Sequence, residues 1–183
     1  MGLSICKDRC NSGCMHGLLM VALTTTGEDS SYHLNMTTIG PVIKDLCQNP
    51  VMIASYSPGD CAHGIGHTLM DLSGFEIHPA INICRTHESQ ALEYYCATGV
   101  YMEYMAGRDH QDASTKSILY PCDHYIYPAA CARYKIVHVI RRHYDAGGTM
   151  NELRTLCAFF TGAVRLLSRT RQRPYVIHRG RKD

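Results

Sequence analysis

His63 and His67 stand four residues apart in Cys61-Ala62-His63-Gly64-Ile65-Gly66-His67-Thr68-Leu69-Met70, the stretch of this chain richest in residues that can do chemistry. On a helix such a pair shares one face, and two imidazoles so placed can reach one metal ion. No glutamate stands between them, so the general base of the HExxH proteases is missing. His16 holds the position of His63 in an earlier copy of the same phrase. Glu103 lies one place beyond the position of His67 in a later copy, and Met20 and Met102 fall at that position. The candidate metal ligands are therefore His16, His63, His67 and Glu103. Imidazoles with a carboxylate suit zinc, copper or iron, and a thioether from Met20, Met70 or Met102 would favour monovalent copper. Copper or zinc is the expected ion. Non-covalent haem with His or Met axial ligands stays open, whereas the CxxCH of c-type attachment is absent. Packing is the competing explanation. Two glycines inside a helix cost about 1 kcal/mol each relative to alanine. Close approach of a neighbouring helix, or of a ligand, would offset that.

These residues must be positioned by the elements around them, and those elements repeat. The phrase occurs as Cys14-Met15-His16-Gly17, Cys61-Ala62-His63-Gly64 and Cys96-Ala97-Thr98-Gly99, with a fainter copy at Cys131-Ala132. Each opens a mostly apolar run that stops at Gly27, Gly74, Gly107 or Gly147. Thr98 in place of histidine argues against all copies binding alike. A second phrase, an apolar stretch closing on its own cysteine, ends at Cys47, Cys84, Cys122 and Cys157. From Cys47 onward the cysteines of each phrase recur every 35–38 residues, a period typical of stacked supersecondary units. Pro41 and Pro79 suit first helical positions, Asp60 suits an N-cap, and the closing glycines suit the left-handed residue after a helix.

The pattern predicts an all-α fold of stacked antiparallel helical hairpins, solenoid-like, with one disulfide per hairpin. Helices opening with cysteine are expected near 14–26, 61–73, 96–106 and 131–144. Helices ending in cysteine are expected near 38–48, 79–90, 114–123 and 150–157, with 157–170 either continuing the last one or fused to it. Tyr32 to Met36 alternates like a strand but is read as loop. One repeat domain spans 1–170, with repeats near 6–30, 38–75, 78–110, 113–147 and 149–170, and 171–183 is a basic tail. In such hairpins the end of one helix and the start of the next lie at the same end, which predicts Cys47–Cys61, Cys84–Cys96 and Cys122–Cys131. Cys14 pairs with Cys6 or Cys10. Taking Cys6–Cys14 leaves Cys10–Cys157, unless these two bond to another chain or remain thiols.

The within-repeat cysteine pairs, with the glycine and aromatic run of Cys96-Ala97-Thr98-Gly99-Val100-Tyr101, resemble the disulfide-clipped α/α repeats of the Sel1-like branch of the tetratricopeptide superfamily. The resemblance implies a curved helical solenoid used for binding. That family has no counterpart to His63 and His67.

With 183 residues, a net charge of +2 and 45% apolar residues, the chain is neither disordered nor a strongly basic nucleic-acid binder. Ten cysteines without a single CxxC favour disulfides over zinc ribbons, hence an oxidising compartment. Asn35-Met36-Thr37 is an N-glycosylation acceptor at Asn35. No apolar stretch reaches the roughly 18 residues of a membrane span. Met1-Gly2-Leu3-Ser4 has no signal-peptide core, so a secreted protein would be met here in processed form. Secretion or a lumenal location is expected, with the mitochondrial intermembrane space as the alternative. A basic C-terminal segment from Arg165 onward and the tyrosines of the third and fourth repeats suit an acidic or protein partner, or self-association, and nucleic acid is not expected. The functional expectation is a disulfide-stapled binding or structural module with a His-based metal site. The alternative is a metalloenzyme using His63, His67 and a carboxylate such as Glu103.

Overall fold

The computed structural model of the chain describes residues 13–24, 36–107 and 117–171. Among these residues the helices are, in order, α1 (Gly13–Thr24), α2 (Met36–Leu46), α3 (Pro50–Ser55), α4 (Pro58–Leu72), α5 (Ile77–Cys84), α6 (Gln90–Gly107), α7 (Pro128–Asp145) and α8 (Met150–Arg171). Among the described residues there is no strand, and no helix is long and apolar enough to cross a membrane. The fold is all-α, as the periodicity predicts.

Local chemistry accounts for the ends of the helices. Pro50, Pro58 and Pro128 each open a helix, where a missing N–H is harmless. α4 starts earlier than expected. Ser57, not Asp60, is its N-cap: the Ser57 hydroxyl accepts the Asp60 N–H at 3.1 Å and donates to the Asp60 carboxylate at 2.7 Å. Asp60 thus holds the capping hydroxyl from the first turn of the helix. Pro41 sits inside α2 and not at its start. Gly74 and Gly147 take φ of +63° and +75° just past α4 and α7, the left-handed position expected of them. The cysteine-ending helix near 79–90 stops at Cys84, and α6 already begins at Gln90. Ser89 makes that early start possible, its hydroxyl accepting the Leu92 N–H. The helix expected near 114–123 is not formed over its described residues, which make turns from Ile118 to His124. Pro121 lies in the middle of that stretch and has no N–H to give a helix. α8 runs unbroken through 157–170.

Three disulfides clip the fold at the predicted places: Cys47–Cys61, Cys84–Cys96 and Cys122–Cys131, with Cα separations of 5.3–5.5 Å. Each closes a loop of 9 to 14 residues, which removes about 3 kcal/mol of chain entropy from the unfolded state. Cys14 is also disulfide-bonded, but Cys6 and Cys10 lie outside the described residues. Cys157 is a free thiol, so the Cys10–Cys157 bridge is not made. The other second-phrase cysteines close a helix or turn opposite the start of a long helix. Cys157 instead sits partway along α8, which runs on unbroken past it. Asn35 and the tail from 172 onward likewise lie outside the described residues.

The cysteine-opening helices touch in chain order: α1 packs on α4, α4 on α6 and α6 on α7, with α8 against α7. α5 lies across α4 and α6. The contact of α4 with α6 is the most extensive, and two glycines permit it. A Cβ on Gly66 would stand 2.0 Å from the Cys96 carbonyl oxygen, and one on Gly99 would stand 2.0 Å from that of His63. The two backbones therefore meet directly. Around this crossing Ile65, Leu69, Met70, Val100, Tyr101 and Met105 are fully or almost fully buried, and the Tyr101 hydroxyl donates to the Ile126 carbonyl.

Candidate metal centre

At 100° per residue, His63 and His67 point between two glycine faces of α4. Gly66 faces α6, and Gly64 faces α1, where an added Cβ would touch the His16 ring and Leu19 at 2.8 Å. The two imidazoles therefore emerge in the seam where α1 and α6 both approach α4. His16 comes to the seam from α1, and Thr98 and Glu103 come from α6. The glycines of this stretch are explained by helix contact, and no ligand is needed to account for them.

The three histidines converge. One nitrogen from each of His16, His63 and His67 lies within 4.8 Å of the other two, and the ring centroids are 4.7–5.8 Å apart. His63 and His67 present their Nε2 atoms to each other at 3.0 Å. Both Nδ1 atoms are already committed. That of His67 donates to the Glu103 carboxylate at 2.7 Å. That of His63 lies 2.7 Å from the Thr98 hydroxyl oxygen, and Thr98 gives its own proton to the Tyr95 carbonyl. Thr98 can then only accept, so His63 Nδ1 carries the hydrogen. Both Nε2 atoms are left to face each other. Two bare lone pairs at that distance would repel, so a proton or a cation belongs between them. Nε2 of His16 is buried and makes no hydrogen bond.

Electrostatics favour the neutral forms of His16 and His63 and the ionised form of Glu103. Burial, followed by the positive charge His67 would carry, lowers the His63 pKa to about 4. His16 is lowered as well, by burial first and then by His67. The hydrogen bond from His67 is the main cause that holds Glu103 below the usual carboxylate range. Neutral imidazoles keep the lone pairs that bind metals.

A cavity of about 450 Å³ opens beside the cluster, with His16 and His63 in its wall. Thr98 and Arg133, which hold the position of His63 in the third and fourth copies of the phrase, also line it. Asp60, Tyr95, Met102 and Tyr134 complete most of the rest. All four sequence-predicted ligand residues are thus brought to one place. Glu103 arrives behind His67, as the acceptor of its Nδ1 proton and not among the converging nitrogens. Of the three methionines, Met102 lines the cavity, Met70 is fully buried in the core and Met20 is exposed. Thr98, Arg133 and Tyr134 were not among the candidates. Their signal was register: Thr98 and Arg133 each stand two residues after a repeat cysteine, as His16 and His63 do.

No protein-family model matches the chain. No curated protein and no solved structure matches it either.

Proposed function

We propose that the chain binds one divalent transition-metal ion, zinc before copper, through His16, His63 and His67. The carrying observation is the pair of Nε2 atoms 3.0 Å apart, each on a ring whose Nδ1–H is already held by an acceptor. Metal-ligating histidines commonly donate their second ring hydrogen in this way, and a carboxylate in that role raises the basicity of the ligand. The unpartnered Nε2 of His16 supplies the third donor. In a tetrahedral zinc site with bonds of 2.0–2.1 Å, two ligand nitrogens stand about 3.3 Å apart, so His63 and His67 need to separate by only a few tenths of an ångström. Three imidazoles suit zinc and divalent copper. Monovalent copper would draw on Met102, which lines the adjoining cavity. The 3.0 Å separation keeps His63 and His67 from serving as the two axial ligands of one haem, which must stand on opposite faces of the macrocycle.

The scaffold reading goes with this site. Helices α1, α4, α6 and α7, each with a repeat cysteine in its N-terminal half and touching in chain order, support a stack of disulfide-clipped hairpins of the solenoid type. Three disulfides support an oxidising, secreted or lumenal location. Phe159 and Leu166, exposed on α8, favour a protein partner or a second copy on that side. The cavity beside the three histidines favours a second reading, a metalloenzyme, because a three-ligand zinc keeps a position open for water or substrate.

Titration calorimetry with zinc, followed by elemental analysis after dialysis, tests the metal site. One equivalent is expected for the wild type and none for His63→Ala/His67→Ala. Stoichiometric zinc retained by the double variant, or no zinc bound by the folded wild type, overturns the proposal. Zinc-dependent hydrolysis of an activated ester, lost in the same variant, would favour the enzyme.

A further inference from the structure

The cavity next to the three histidines has a charge balance and a wall chemistry that select a ligand. Taking the metal reading as its basis, we propose that this cavity holds a small organic carboxylate whose oxygen takes the open position on the ion. Two of the three ligand rings, His16 and His63, form part of the cavity wall, so an ion held between them borders that space. Three protein nitrogens leave a zinc-type ion one ligand short.

Charge points to an anion. A dication would be set against two carboxylates, Glu103 behind His67 and Asp60 in the cavity wall. Arg133 then leaves one positive charge over. Among the described residues its guanidinium makes no ion pair and lies over the Tyr134 ring, 5.9 Å from the centroid. An arginine on a cavity wall without an acidic partner is well placed to take a carboxylate through paired N–H donors.

Size and lining point to an organic body on that anion. About 450 Å³ is far more than an inorganic anion fills and falls in the range of small-molecule sites. Tyr95, Tyr134 and Met102 supply aromatic and thioether walls against which a flat apolar group can lie. A monocarboxylate with an aromatic or aliphatic body satisfies the ion, Arg133 and these walls together.

The test uses the full chain loaded with cobalt(II), whose visible absorption reports each change of ligand. Benzoate, acetate and inorganic phosphate are titrated separately into wild type and Arg133→Gln, an exposed position on α7. Benzoate is expected to shift the wild-type bands to saturation, and at about tenfold lower concentration than acetate. Arg133→Gln should raise the benzoate midpoint about tenfold while still binding one equivalent of cobalt. Unshifted bands with benzoate, an equal midpoint in Arg133→Gln, or tighter binding of phosphate would overturn the carboxylate site and leave the metal site standing. Failure of cobalt and zinc to bind at all would overturn both.

Discussion

Glu103→Gln isolates the charge that stands behind His67. Glutamine can still accept the His67 Nδ1 hydrogen through its amide oxygen, so the ring keeps its orientation and only the negative charge is removed. From the Glu103 oxygen, 2.7 Å from Nδ1, across one imidazole and one coordination bond, the ion would lie about 6–7 Å away. His67 is 11% exposed and Glu103 34% exposed, so the charge is partly screened by solvent. An effective dielectric of about 40 then gives the carboxylate and a dication an attraction of roughly 2–3 kcal/mol. Zinc affinity should fall by about 30- to 100-fold, in line with the usual effect of such orienting groups. Competition against a chromophoric chelator at neutral pH measures this, and circular dichroism checks that the variant is folded. Glu103→Ala should lose somewhat more, because the hydrogen bond goes as well. Glu76→Gln, an exposed position outside the cluster, should change nothing. A Glu103→Gln affinity within about threefold of wild type would refute the idea that Glu103 works on the ion through His67.

Other perturbations test the scaffold and the cluster. Gly66→Ala and Gly99→Ala each drive a Cβ to 2.0 Å from a backbone carbonyl oxygen, and should destabilise by about 3 kcal/mol or more in thermal or denaturant melts. Gly64→Ala meets only the His16 ring and the end of Leu19; it should cost less stability but weaken zinc binding by displacing His16. The His63 pKa is lowered to about 4 from the ordinary 6.5 or so, so the unfolded chain takes up this proton first as pH falls. Metal-free stability should therefore be full above about pH 6.5 and decline toward pH 4, by about 2 kcal/mol after allowance for partial solvent access to the ring; urea midpoints that do not move across this range would contradict it. Alkylation without reduction should label Cys157, and peptide mapping should recover Cys47–Cys61, Cys84–Cys96 and Cys122–Cys131 intact.

Most of the architecture is legible in one dimension because its signals are local. Apolar spacing, and Gly74 and Gly147 at helix ends, act within a turn or two of the chain, whereas Pro41 and Pro79, read as first helical positions, lie inside α2 and at the third residue of α5. The same locality explains the failures: an N-cap assigned to Asp60 in place of Ser57, and a helix expected where Pro121 makes a turn. The three cysteine pairs follow from hairpin geometry over 9 to 14 residues. Cys157 escapes that logic because α8 runs on past it, so it does not end a helix at a hairpin turn.

The sequence alone determined that His63 and His67 share a helix face, since their spacing of four residues is set by the helical pitch. It also determined that His16, Thr98 and Arg133 hold equivalent positions in repeated phrases. The tertiary structure decided what equivalence means. Gly64 lets α1 bring His16 alongside, while Gly66 and Gly99 let α6 approach until Thr98 and Glu103 reach the ring nitrogens. Thr98, which in sequence looks like a lost ligand, becomes the acceptor that fixes His63, and Glu103 becomes the partner of His67. Those roles depend on which faces of separate helices meet, and that is set by the close packing of backbones that no residue spacing records.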